Sequence, residues 1–242
     1  MQRNLLGLMR SPTTVVFSTI QPIIFVVMFR YVFGGAIVPI PGFTYVNFLM
    51  AGIFVQTVTF GSTNTGIGLA IDLEKGIIER FRSLPMARSA VLAGRALADV
   101  VRNAFVVALM FIVGMLVGFR VQTGVLPAIG AVVLLLLFGL AMSWVMAYLG
   151  LVAGNAEAVQ AASFPILAVL VFASGAFVPT STMPPWLQAF ANHQPVTATV
   201  NAVRALLNGG PTARYVIIAL LWMIAITAVF ATLAIRRYRK LA

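Results

Sequence analysis

From Val121 to Ala156 the chain carries no charged side chain, and Phe43 to Ile71 is a second uncharged stretch. Runs this apolar cannot form the outside of a water-soluble globule. Soluble domains are about one quarter charged, whereas this chain is 9% charged and 61% hydrophobic over 242 residues, with a mean hydropathy of +1.04. The chain is therefore read as a membrane protein. The apolarity is continuous rather than alternating, which argues for helices and against an outer-membrane barrel. There is no cysteine, and His193 is the one histidine. Thiolate chemistry, disulfides, iron–sulfur clusters and most zinc sites lack their ligands. Five carboxylates in the whole chain leave little for acid–base catalysis. The net charge of +11 reads as membrane anchoring rather than nucleic-acid binding.

A transmembrane helix needs about 20 apolar residues to cross about 30 Å of hydrocarbon. Six segments qualify. The first runs from about Thr13 to Phe33, the second lies within Phe43 to Ile71, and the third covers at least Asn103 to Phe119. The fourth is about Leu126 to Val152, between turns at Gln122 to Gly124 and at Gly154 and Asn155. Ala158 to Val178, closed by Pro179, is the fifth, and Tyr215 to Ile235 the sixth. The whole of 1–242 forms one all-α polytopic domain.

Lys and Arg set the orientation. With the N-terminus inside, Arg3, Arg10, Lys75, Arg80, Arg82, Arg88, Arg95, Arg102, Arg236, Arg237, Arg239 and Lys240 face the cytoplasm, 12 of the 16 cations. Arg30, Arg120, Arg204 and Arg214 fall on the other side. Both termini are expected to be cytoplasmic. Met1 to Arg10 places Leu5, Leu6 and Met9 at helical spacing beside Arg3 and Arg10, which predicts an amphipathic helix in the inner interface rather than a cleaved signal peptide.

Two segments exceed what a connector needs. In the inner loop, Ile77, Phe81 and Leu84 recur at i, i+4 and i+7, with Glu79, Arg80 and Arg82 opposite and Pro85 as a stop. This is either a positive-inside anchor or a docking surface for a cytoplasmic protein. Arg95, Asp99 and Arg102 follow at helical spacing, one acid between two cations. The outer segment Pro179 to Arg214 predicts two short re-entrant helices. One carries Trp186, Leu187 and Phe190; the other carries Val196, Val200, Val203 and Leu207 against a strip of Asn201, Arg204 and Asn208, and ends at Gly209. With Phe177 and Pro179, this segment is either a plug between helices five and six or an external gate.

The string Gly61 to Ile67 imitates a phosphate loop but has Ile67 where the lysine belongs. Ser62, Thr63, Asn64 and Thr65 read instead as a polar patch that packs helices or lines a pathway. Gln21, Gln56, Ser143, Trp144 and Tyr148 are further polar or amphipathic candidates within spans. Gly114 to Gly118 and Gly150 to Gly154 match G-x-x-x-G, a spacing that lets helices approach closely. His193 has no nucleophile and acid placed for catalysis. Ion-coupled carriers use charges in mid-span, and the central parts of these spans carry none. Energy is expected to enter through the inner loop.

Glu74 to Arg88, E-K-G-I-I-E-R-F-R-S-L-P-M-A-R, followed by Gly94 to Arg102, G-R-A-L-A-D-V-V-R, resembles the inner loop of ABC-2 type permeases of the daunorubicin-resistance exporter subfamily. Phe172 to Leu187 and His193 to Leu207 resemble that family's external region, and N-L-L-G-L-M-R-S-P near the N-terminus is also similar. The resemblance implies a bacterial inner-membrane permease without an ATPase site of its own. It implies pairing with a second permease copy or paralogue and with a separate ABC ATPase subunit that binds ATP and Mg. Glu74, Lys75, Gly76, Ile77, Glu79, Arg80, Phe81 and Leu84 are the implied ATPase-coupling residues, forming an inner coupling helix between helices two and three. Gln21, Gln56, Thr63, Asn64, Ser143 and Trp144 are carried forward as a candidate substrate route, with Phe177, Pro179, Trp186 and Phe190 as a candidate gate. The implied cargo is an amphipathic drug or a membrane lipid; a lipid-linked glycan, or a scaffold that recruits a cytoplasmic protein without transport, is the alternative. No metal site and no nucleic-acid partner are expected.

Overall fold

The computed structural model describes residues 20, 22–33, 44–76 and 88–241, and the regular structure among them is helical. The expected interfacial helix over 1–10, the start of the first span, Gln21, and Ile77, Glu79, Arg80, Phe81 and Leu84 of the coupling segment lie outside the described residues. In chain order the elements are α1 (Pro22–Val32), which turns π-helical over Met28–Phe33, α2 (Tyr45–Gly61), α3 (Thr63–Glu74), α4 (Arg88–Val117) and α5 (Val125–Ala153). There follow α6 (Ala156–Phe172), a 3-10 turn (Thr180–Thr182), α7 (Pro185–Asn192), α8 (Pro195–Asn208) and α9 (Thr212–Leu241).

Four stretches are long and apolar enough to cross a bilayer: Tyr45–Glu74, Leu97–Val117, Val125–Ala153 and Thr212–Lys240. α1 and α6 are apolar but shorter. The stretch α2–α3 is the centre of the bundle, with 83% of its apolar window buried against 17% for α9. Its composition fits this, because it is the least apolar of the four, and polar groups inside a bilayer need protein partners that lipid does not offer. Thr57, Thr59 and Ser62 sit in that interior, and each hydroxyl donates to a carbonyl of the preceding turn, at 2.7, 2.6 and 2.6 Å. Phe54 of α2 anchors the core, stacked 4.4 Å from Phe111 of α4 and edge-on to Phe119 at 5.8 Å. Around it pack Leu135 and Phe138 of α5 and, from α8, the expected Val196, Val200, Val203 and Leu207, all fully buried. A smaller cluster of Leu69, Ala147, Leu151, Ala234 and Tyr238 joins α3, α5 and α9.

The tightest helix crossing is between α3 and α5. A Cβ built on Gly150 would lie 2.4 Å from the Gly66 carbonyl oxygen, and one on Gly66 would lie 2.6 Å from that of Met146. Of the Gly150 to Gly154 pair, only the first makes this contact. Gly154 ends α5 instead, at φ +76°, with its N–H on the Gly150 carbonyl. Asn155 then starts α6, its side chain accepting from the Ala158 N–H at 2.7 Å.

One expected boundary needs correction. The fifth apolar helix stops at Phe172 and does not run on to Val178 and Pro179. The backbone of 173–175 finds partners in α8 and its N-cap instead of in a further helical turn. The Ala173 carbonyl accepts from Gln194 at 2.6 Å, the Gly175 N–H donates to Thr197 at 3.1 Å, and the Gly175 carbonyl accepts from Arg204 at 3.0 Å. The resulting helix of 17 residues is about 25 Å long at 1.5 Å per residue, short of a full bilayer core.

Gly150→Ala is expected to wedge α3 from α5 and lower stability by about 1–3 kcal/mol, the usual range for overpacking. Thermal unfolding of the purified protein checks this. Gly130→Ala, whose Cβ would meet only the tip of Leu206 at 3.6 Å, should leave the melting temperature within error or raise it.

Candidate coupling site at the break between α2 and α3

α2 and α3 are separated by Ser62, whose N–H reaches the carbonyls of both Val58 and Thr59 at 3.2 Å. The Thr65 N–H, which a continuous helix would direct to the Gly61 carbonyl, bonds the Ser62 carbonyl at 3.0 Å instead, and side chains supply the replacement at Gly61. Arg102 of α4 donates to the Gly61 carbonyl through Nη2, and Asn64 adds a donor at 3.1 Å. One turn on, the Thr65 hydroxyl donates to Asp99 Oδ2. Asp99 Oδ1 in turn lies 3.4 Å from Arg102 Nη2, so the acid and base form a pair within α4 while each also reaches the broken helix. Asp99 is 9% exposed and Asn103, against Gly139 of α5, 3%. Charges this buried persist only when paired and hydrogen-bonded. The result is a polar clamp that fastens the α2–α3 break to α4.

From the clamp α3 runs on to Glu74, about 18 Å further at 1.5 Å per residue, toward the end of the molecule that holds Asp72, Glu74 and Glu157. Glu74 Oε1 accepts the Ala156 N–H at 3.3 Å, bridging the end of α3 to the start of α6. A carboxylate there also favours the positive pole of α6. Arg237 Nε donates to the Leu151 carbonyl at 3.4 Å, tying α9 to the end of α5. Thus the last described residues before 77–87 are linked through α3 to α4, α5 and α6.

At the opposite end α8 holds the start of α2. Arg204 Nη2 donates to the Phe48 carbonyl at 3.2 Å and to the Gly175 carbonyl at 3.0 Å, with its guanidinium carbon 3.6 Å over the Phe48 ring. Asn208 donates to the Asn47 carbonyl at 3.1 Å, and the Asn47 side chain accepts the Arg120 N–H at 3.1 Å. Burial pushes the Arg204 guanidinium down to about 9, with Tyr215 acting in the opposite direction, so it stays charged at neutral pH. Arg204 and Asn208 of the strip therefore bond protein backbone, and Asn201 accepts from Arg204 at 3.3 Å.

Among the candidate route residues, Gln56 and Ser143 are buried, and Gln56 Oε1 and Ser143 Oγ have no hydrogen-bond partner among the described residues. Thr63 is half-buried and Asn64 exposed. Trp144 packs against the Leu69, Leu151 and Tyr238 cluster. Of the candidate gate, Phe177 is buried in a stack 4.6 Å from Phe29 and 5.4 Å from Phe172. The Pro179 carbonyl accepts from Thr182. Trp186 and Phe190 lie exposed on one side of α7, one turn apart as expected. Asn103 and Asn47 are the contributors that sequence reasoning missed, whereas Thr65 belongs to the patch read as packing helices or lining a pathway. The one signal was a set of polar residues in spans with no local partner. Among the described residues there is no cluster of acidic, His or Cys side chains able to hold a metal.

A helix bundle with several spanning-length apolar segments and a buried central helix is a multi-pass membrane protein. The chain belongs to the ABC-2 type transporter family, whose sequence pattern matches residues 1–208. It is 37% identical over 240 residues to the daunorubicin resistance ABC transporter permease protein DrrB1 of Streptomyces coeruleorubidus, covering 98% of this chain and 84% of that one. It is 27% identical over 231 residues to the probable doxorubicin resistance permease DrrC of Mycobacterium tuberculosis, covering 96% and 83%. A putative transport permease, ycf38 of Porphyra purpurea, shares 28% over 214 residues, covering 84% and 70%.

Asp99→Ala leaves Arg102 charged and unpaired in an apolar interior, and is expected to cost about 3–5 kcal/mol. Reversible unfolding in mixed micelles measures this. The double change Asp99→Leu with Arg102→Leu should recover much of the loss. A single variant as stable as the parent would show that the clamp contributes nothing.

Proposed function

We propose that this chain is the membrane-spanning subunit of an ABC exporter and that it moves an amphipathic drug or lipid outward on ATP hydrolysed by a separate subunit. The observation that carries this reading is the linkage of α3 to its neighbours. The segment that the resemblance assigns to ATPase docking begins at Glu74, and Glu74 itself bonds the start of α6 while α3 is fastened to α4 through Thr65 and Asp99. A push on that loop is thereby delivered to three helices together. Apolar spans whose buried charges, Asp99 and Arg102, are taken up by protein partners suit a lipophilic cargo, and two of the similar proteins are named for resistance to daunorubicin and doxorubicin.

In this reading the chain crosses a bacterial inner membrane six times, with α1 in the first span and α6 in the fifth, and both termini are cytoplasmic. α7 and α8 re-enter from the outer side, where Phe177, Pro179, Trp186 and Phe190 border the exit. Glu74, Lys75, Gly76, Ile77, Glu79, Arg80, Phe81 and Leu84 meet the ATPase, which holds the ATP and Mg. A second permease copy or paralogue completes the complex.

Phe81→Asp should leave membrane insertion and yield intact while abolishing co-purification with the ATPase subunit and drug efflux. Retention of the ATPase by that variant would refute the docking assignment. A tag on Ala242 should be protected from an impermeant reagent in sealed right-side-out cells; labelling there would overturn the orientation.

A further inference from the structure

At the end of the molecule opposite Glu74, α4 and the first turns of α5 leave a groove between them of about 510 Å³. Its walls are apolar throughout: Phe111 of α4, Val121 of the connecting loop, and Val125, Ala128, Ile129 and Val132 of α5 among them. Phe111 stacks on Phe54, so this wall is continuous with the packed core. The α5 lining runs from Val125 to Val133, about 12 Å at 1.5 Å per residue, close to the depth of one leaflet of a hydrocarbon core of about 30 Å. Val125, Ile129 and Val133 on its rim are exposed, so the groove opens sideways to lipid.

Arg120 immediately precedes the lining residue Val121. Its Nη1 donates to the Met115 and Phe119 carbonyls at 2.8 and 2.9 Å, which holds the guanidinium over the end of α4 while the residue remains exposed. The described carboxylates Asp72, Glu74 and Glu157 belong to the other end of the bundle, and Arg214 at the start of α9 adds a second cation on this side. A leaflet-deep apolar slot beside a fixed cation matches one ligand chemistry, an acyl chain bearing an anionic headgroup. We propose that the groove holds one acyl chain of an anionic phospholipid of the surrounding bilayer, with its phosphate on Arg120. The bound lipid fills the α4–α5 groove as a structural ligand and is distinct from the exported cargo.

The test uses the full-length protein and two lipids of equal chain length, phosphatidylglycerol and phosphatidylcholine. Native mass spectrometry after detergent delipidation should show one retained phosphatidylglycerol per chain. Preference over phosphatidylcholine is expected on the order of tenfold, the ratio that about 1.4 kcal/mol gives. Arg120→Gln should abolish the headgroup preference, and Ala128→Phe, which fills the groove, should abolish retention. Because the chain has no cysteine, Ile129→Cys carries a single fluorophore and gives a readout independent of groove-filling variants. Its quenching by chain-labelled phosphatidylglycerol should exceed that by chain-labelled phosphatidylcholine, and Arg120→Gln should equalise the two. Equal retention and equal quenching by both lipids in the parent protein would overturn the proposal. So would efficient disulfide crosslinking of Ile129→Cys between two chains, which would assign the groove to a second copy.

Discussion

Inside a bilayer no water is available to a backbone or charged group that loses its partner, so every interruption of a helix must be repaired by the protein itself. The central helix of this bundle is interrupted once, at Ser62, and the repair is the Arg102 contact to the Gly61 carbonyl together with the Thr65 contact to Asp99. An arginine and an aspartate so deeply buried are costly alone and tolerable together. Their placement follows from that constraint: the pair stands where the broken helix supplies an acceptor for one and a donor for the other.

Both ends of α2 are held in this way. Arg204 and Asn208 of α8 take the carbonyls of Phe48 and Asn47 at its start, and the clamp takes Gly61 at its end. α3 continues beyond the break with different neighbours. It crosses α5 at Gly66 and Gly150 too closely for any side chain, and reaches α6 through Glu74. The central rod thus has a fixed portion, α2, and a portion joined to the peripheral helices, α3. In the proposed function this division lets force that enters at one membrane face spread to several helices.

Much of the helical layout was legible in the sequence, because hydrocarbon imposes one signal, continuous apolarity, on every span. The turns at Gly124, Gly154 and Gly209 were legible too, from glycine chemistry. The end of α6 was not. The run Phe172 to Val178 is apolar enough to continue, and what stops it is competition from Gln194, Thr197 and Arg204, residues distant in sequence. Arg204 was likewise seen on the polar strip of α8, but a strip that faces backbone carbonyls looks the same in sequence as one that faces water. Asp99 and Arg102 were read as neutralising one another, which they do. Their reach to Gly61 and Thr65 depends on how α4 crosses the α2–α3 break, and no local pattern encodes a crossing.

In the proposed function α3 moves with α6 relative to α2, which pairs of spin labels measure directly in the complex with the proposed ATPase subunit. One pair joins Asp72 of α3 to Glu157 of α6; the other joins Asp72 to Tyr45 at the start of α2. Nucleotide binding should leave the first distance unchanged and shift the second. A change in the first with a constant second distance would mean that α2 and α3 move as one straight rod past α6, and the coupling role of the break would be contradicted.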